Sequence, residues 1–319
     1  MAVWVMGQAA DLFKQSLIST FFATAMFSGA AAQAPAHVED RPLANIYLED
    51  GSQGQCTLID GRGAQTEAAR KSAEVIRANL QRFPLGAAAV TDLQDSNTTL
   101  CFSGDVITSR ETGLGHSAEY KHRLNAILLT GTDEGHFMHE WKHKHDGVDF
   151  DSFKMSPFSA VLTLRFAEAG AYAFEAMARH EAKEKGVEID APSRGSLMAR
   201  LVDVYDETLS GGGTQEQAWR NAFDASFEYN LKHVQTGSVL RAYRQAMDIP
   251  EIRNQEGFAG TVVTPEFLKK VALPPGWDTG TFDRTGSGLI LGDERYITYR
   301  PEHASEMRTI QAELAGPRR

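Results

Sequence analysis

The sequence predicts an α+β fold, with a few short antiparallel strands early in the chain and a largely helical body after them. Three observations lead to this. Before residue 130, short apolar runs alternate with glycine-rich turns, the pattern of strands rather than of long helices. Residues 156–185 open with Ser156-Pro157 and contain no further proline, so one long helix is expected there. Beyond them, Thr214 opens a segment whose apolar residues recur at helical spacing.

Taken in order, residues 43–60 hold two apolar segments separated by the Gly51–Gly54 stretch, and a hairpin is expected. A helix follows from the N-cap Thr66 to Arg82, with Ala69, Ala73, Ile76 and Leu80 as its apolar stripe and Pro84 and Gly86 as its stop. Residues 87–130 read as extended, with 99–102 and 125–129 as the better strands. Residues 133–145 form a short helix, opened by Thr132 and the acidic pair Asp133-Glu134 and closed by Asp146-Gly147. The long helix then runs to Lys185, where Gly186 caps it. Thr214 and Gln217 make a capping box for a helix carrying Trp219, Phe223, Phe227 and Leu231, a stripe that reads as core. After Leu273 the chain turns to Pro274-Pro275-Gly276, with a strand expected at 296–299 and a polar helix at 304–314. The expected organisation is a principal domain over 43–272 and an appendage over 273–319.

Of the 319 residues, 42% are hydrophobic and 23% charged, which suits a globular chain with one large core or two small ones. Acidic residues outnumber basic ones by 42 to 32. A nucleic-acid partner would therefore need a local basic patch, and no Lys/Arg run supplies one. Residues 17–32 are apolar but short for a membrane span. They end in Ala30-Ala31-Ala32, small residues of the kind that signal peptidase requires. Residues 1–34 are thus read as a secretory signal, giving a periplasmic or secreted protein with no stable span in its mature chain. Asp11 cancels the charge of Lys14, and the competing reading is a buried helix in a cytoplasmic protein. Cys56 and Cys101 form a disulfide in the first case and two thiols in the second.

The chemistry concentrates in His139-Glu140-Trp141-Lys142-His143. On a helix, residues four apart share a face, so His139 and His143 can direct two imidazole nitrogens at one metal. Glu140 then lies beside the open side of that metal, where a carboxylate can take a proton from water and return it to a leaving amine. Two histidines and a glutamate at these offsets arise by chance about once in a hundred chains of this kind. Catalytic zinc usually keeps three protein ligands and one open position. The glycine and third histidine of the metzincin continuation are missing after His143. The better third ligand is Glu168, flanked by Ala167, Ala169, Gly170 and Ala171, small residues that let two helices approach. Glu175, two turns further on the same face, is its substitute. Tyr172 is a candidate to bond an oxyanion or orient a ligand. Of the other histidines, His136 could share the face of His139. His145 points about 200 degrees from His143, and His180 is a further surface or supporting residue.

These residues resemble the gluzincin branch of the zincin metallopeptidases, defined by HExxH and a downstream helical glutamate. The stretch 119–182 is similar to a bacterial family described only as a putative metallopeptidase domain. The resemblance implies Zn2+ held by His139, His143 and Glu168, Glu140 as general base, and hydrolysis of a bond in a peptide or protein substrate. It also implies that the strand before the motif helix, 125–129, is the edge on which an extended substrate pairs. Two other readings stand beside it: a zincin fold that only binds, against which the intact Glu140 argues, and a zinc hydrolase acting on a cell-wall amide or other non-peptide bond.

Overall fold

The structure is a computed structural model that describes residues 55–315 apart from 104–106, 109–114, 117, 149–152, 190–191, 229–230 and 286–293. The expected signal segment and the first half of the expected hairpin lie outside the described residues. The strands are β1 (Gln55–Leu58), β2 (Thr99–Phe102), β3 (Ile107–Thr108), β4 (Gly115–His116), β5 (Ala118–Lys121) and β6 (Ala126–Leu129). Four of them form a mixed sheet in the order β1-β2-β6-β5, in which β2 and β6 are parallel and the outer pairs antiparallel. β1 pairs with β2, and Cys56 and Cys101, opposite each other in that register, are disulfide-bonded. One expectation is corrected: β6 is central rather than an edge. Its four residues, Ala-Ile-Leu-Leu, are all buried, as a strand covered on both faces requires. Among the described residues the strand beside it, β5, is an edge, and its Glu119 and Lys121 give it the charged character typical of edges.

The helices are α1 (Glu67–Leu80), α2 (Pro84–Ser96), α3 (Glu134–Asp146), α4 (Pro157–Glu184), α5 (Leu197–Ser210), α6 (Gln215–Ser226), α7 (Leu231–Met247), α8 (Pro250–Arg253), α9 (Pro265–Ala272), α10 (Thr281–Arg284), α11 (Glu294–Ile297) and α12 (Pro301–Ala315). The Thr66 hydroxyl caps α1 by accepting from the Ala69 amide, and its expected stripe is buried. α2 replaces part of what reads as an extended region. Pro84 does not merely stop α1; it occupies the first turn of the next helix, where its missing N–H costs nothing. Asn97 ends α2 in the left-handed conformation, φ 49°. The two helices cross so closely at Gly86 that a Cβ there would lie 2.3 Å from the Leu80 carbonyl oxygen.

α4, about 42 Å long at 1.5 Å per residue, is the central helix, with α3, α5, α6, α7 and α9 packed around it. Ser156 caps it and the capping box of Thr214 and Gln217 opens α6, both as expected. The main core joins the sheet, α3, α4 and the aromatic stripe of α6. Residues after Leu273, expected as an appendage, supply Phe282 and Tyr296 to it. A second cluster joins Val161 of α4 to Leu240 and Tyr243 of α7 and to Ile310 of α12.

The strand expected at 296–299 is instead the short α11 and the turn after it. The Tyr296 ring packs 4.8 Å from that of Phe227 and its hydroxyl donates to Asp224. The carbonyls of Tyr296 and Thr298 accept from the buried Arg165, so its polar backbone is satisfied without a strand partner. Among the described residues no helix is long and apolar enough to cross a membrane.

Candidate metal centre

Asp133, rather than Thr132, caps the motif helix α3, accepting from the amides of Gly135 and His136. One helical turn then separates His139 from His143 and stands their imidazoles together, with the two Nε2 atoms 3.2 Å apart. Glu168 reaches both from the middle of α4. Its Oε1 lies 3.4 Å from His143 Nε2 and its Oε2 3.7 Å from His139 Nε2. Donors about 2.05 Å from one tetrahedral ion stand about 3.3 Å from one another, close to all three separations. Two imidazoles and one carboxylate are also the donor types that first-row divalent ions, zinc included, accept. These residues form a group that could hold a metal ion.

Each imidazole is backed by a carboxylate on its other nitrogen. Glu175 Oε2 lies 3.4 Å from His139 Nδ1, and Asp146 Oδ2 lies 3.2 Å from His143 Nδ1. Such partners fix the tautomer that presents Nε2 to a metal and sharpen the ring's orientation. The sequence places Glu175 as a substitute for Glu168; in the fold it stands behind His139 while Glu168 stands in front. Each backing carboxylate has a buried cation of its own. Arg179 bonds Glu175, and Lys142 bonds Asp146 and also the carbonyl oxygen of Val271.

The buried carboxylates around the two imidazoles favour their protonated forms. Burial opposes a charge on His139, but Glu168 and Glu175 outweigh it and raise its pKa to about 9. His143 is raised well above its usual value against the same burial, chiefly by Glu168 and Asp146. Glu168 sits far below the usual carboxylate range, burial being outweighed by the two imidazoles. A divalent ion would satisfy the same charge with one particle.

Glu140 is buried, and burial lifts its pKa against the pull of His139 and His143. Its Oε2 accepts from the Tyr120 amide of β5 at 2.7 Å, so Glu140 is tied to the outer strand of the described sheet. The Tyr172 ring stands 4.6 Å from that of His139, and burial pushes its phenol up. A recess of about 10 Å³, room for about one water, lies beside Glu168, bounded by Arg165, Tyr172, Ser226, Phe227 and Gln235. The three other histidines considered from the sequence face other partners. His136 faces Asp133, His145 packs on Trp141 near Asp92, and His180 bonds Asp206.

Asp146, Lys142, Arg179 and Gly135 are not singled out by the sequence reading. Asp146 lies three residues after His143 and Arg179 four after Glu175, spacings that face each other on a helix and could have pointed to both. One of the small residues around Glu168 acts differently from expectation: Gly170 admits α9, where a Cβ would meet the Ala272 carbonyl oxygen at 2.1 Å.

No protein family, curated protein or solved structure matches this chain. The functional reading therefore rests on the residues and their geometry.

Proposed function

We propose that this chain is a zinc-dependent peptidase of the gluzincin type, with His139, His143 and Glu168 holding the ion and Glu140 as general base. The observation that carries the proposal is the convergence of His139 Nε2, His143 Nε2 and a Glu168 carboxylate from a different helix, with a second buried carboxylate adjoining them. A structural site has no use for that second carboxylate. Bound zinc would supply a Lewis acid and lower the pKa of water toward neutrality.

The chain's own groups do the rest. Glu140 takes the proton of the attacking water and returns it to the leaving amine, a role suited to a carboxyl whose pKa is lifted by burial. Holding one oxygen on the Tyr120 amide leaves the other free for the proton. That amide points away from β6 toward Glu140, so the edge of β5, which is unpaired among the described residues, runs past the base. An extended peptide pairing with this edge would bring a backbone carbonyl to the site. β5, rather than β6, is therefore the proposed substrate strand. The Cys56–Cys101 disulfide supports the exported location, because structural disulfides persist in oxidising compartments.

Metal analysis of the purified protein beside His143→Ala, with cleavage of a peptide library by the wild type, tests the reading. The expected result is one zinc per wild-type chain, its loss in the variant, and cleaved peptides. A protein without bound metal overturns the metal centre. A zinc-loaded protein that cleaves no peptide overturns peptide hydrolysis and favours a non-peptide amide as substrate.

A further inference from the structure

We infer that Arg179 is a positioning residue of the metal centre: it aims His139 through Glu175 and fixes the start of the motif helix through Asp133. The inference rests on the reading of His139 as a metal ligand. Its basis is a closed circuit of polar contacts that leaves α3 and returns to it. Asp133, the N-cap of α3, lies 3.0 Å from Arg179 Nη2 through its Oδ1, the same oxygen that accepts from the Gly135 amide. Arg179 Nε donates to Glu175 Oε1 at 2.9 Å, and Nη2 stands 2.8 Å from the same oxygen. Glu175 presents its other oxygen to His139 Nδ1, which returns the circuit to α3 six residues after Asp133.

Gly135 provides the second observation. A Cβ on it would lie 2.0 Å from Arg179 Nη2 and 2.2 Å from Arg179 Cζ. The guanidinium therefore lies against the backbone of α3 at Gly135, one turn before His139, where a side chain would displace it.

Cohesion between α3 and α4 does not explain the circuit. Phe137, Met138 and Trp141 of α3 already pack in the core with Phe174 and Met177 of α4, and the rings of Trp141 and Phe174 are 5.7 Å apart. A buried ion pair adds little stability over apolar residues of similar volume. Glu175 is 1% exposed and Arg179 7%, so their desolvation is nearly complete. What the pair accomplishes is to fix the Glu175 carboxylate: with Oε1 held by the guanidinium, Oε2 is turned to His139 Nδ1, and His139 Nε2 stays directed at Glu168 and His143.

The test is zinc affinity, measured by competition with a chromophoric chelator, together with the visible absorption of the cobalt(II)-substituted protein and the unfolding temperature of the metal-free protein. Arg179→Met is expected to bind zinc about 10–100-fold more weakly than wild type, as loss of a partner behind a ligand does, and to shift the cobalt bands. Arg179→Lys keeps the charge but cannot fork between Glu175 and Asp133. It should show a smaller loss of the same sign, and it carries the test if Arg179→Met does not fold. Unchanged zinc affinity and cobalt bands in the lysine variant, with only a lower unfolding temperature, would make Arg179 structural and overturn the inference while leaving the metal centre standing. A wild-type protein that binds no zinc overturns both.

Discussion

His143 Nδ1 and Asp146 Oδ2 face each other at 3.2 Å on the last turn of the motif helix, with Lys142 on the other oxygen of the same carboxylate. Asp146 is therefore predicted to hold the second imidazole as Glu175 holds the first. Asp146→Asn keeps the side chain's size but loses the charge that faces His143 Nδ1. Zinc affinity should fall about tenfold or more, read by chelator competition, and affinity equal to wild type would show that His143 needs no such partner.

The raised pKa of His139 gives the metal-free protein a pH dependence of definite sign. An unfolded histidine titrates near 6.5 and His139 in the fold at about 9. Its contribution to stability is fully present below about pH 6.5 and lost as pH rises through about 9. Chelated protein should thus lose on the order of 2–3 kcal/mol between these limits. Zinc-loaded protein should behave oppositely, because protons compete with the metal for the same nitrogens and its affinity grows with pH. Thermal unfolding at pH 6.5 and 9, with chelator and with zinc, checks both trends. Parallel trends would contradict the shared site.

Replacing Glu140 by Gln separates catalysis from metal binding. The amide oxygen can still accept from Tyr120, so the side chain should keep its place and zinc should stay near one per chain. Turnover should fall about a hundredfold or more for a lost general base. Peptide cleavage at an undiminished rate would remove Glu140 from the mechanism.

The disulfide joins residues 45 apart, enclosing α1 and α2 in its loop. Chain entropy assigns such a loop about 4 kcal/mol. Denaturant unfolding of the double variant Cys56→Ser/Cys101→Ser should show a loss of about 2–4 kcal/mol, while zinc content stays the same because β1 and β2 lie away from the imidazoles. A stability equal to wild type would mean that the sheet needs no covalent tie.

Features set by local sequence were legible. Thr66, Ser156 and Thr214 announced their helices because a cap is a contact within one turn. His139, His143 and Glu168 were legible for a related reason: spacing on one helix joins the first two, and Glu168 needs only a second helix to pass nearby. Pro84 misled because proline both ends one helix and begins the next. The placement of β6 depends on pairing with β2, decided by residues far away in sequence, although its unbroken apolar run hinted at burial on both faces. Tyr296 reads as a strand residue by propensity, yet the aromatic core and the carbonyl demand of Arg165 took precedence. Arg179 and Lys142 could not be told from surface cations, because only packing shows which charges are desolvated.

The contacts of α9 bear on when the site can exist at all. Its last residues touch both working helices: the Val271 carbonyl accepts from Lys142, and the Ala272 carbonyl abuts Gly170, two residues past Glu168. Val271 lies 129 residues downstream of Lys142. As the chain leaves the ribosome, His139, His143 and Glu168 are in the open well before the piece that wedges their helices into register has been made. A nascent or truncated chain ending before α9 would thus display the three side chains without the clamp, and metal binding to the proposed site is expected to follow folding rather than to nucleate it.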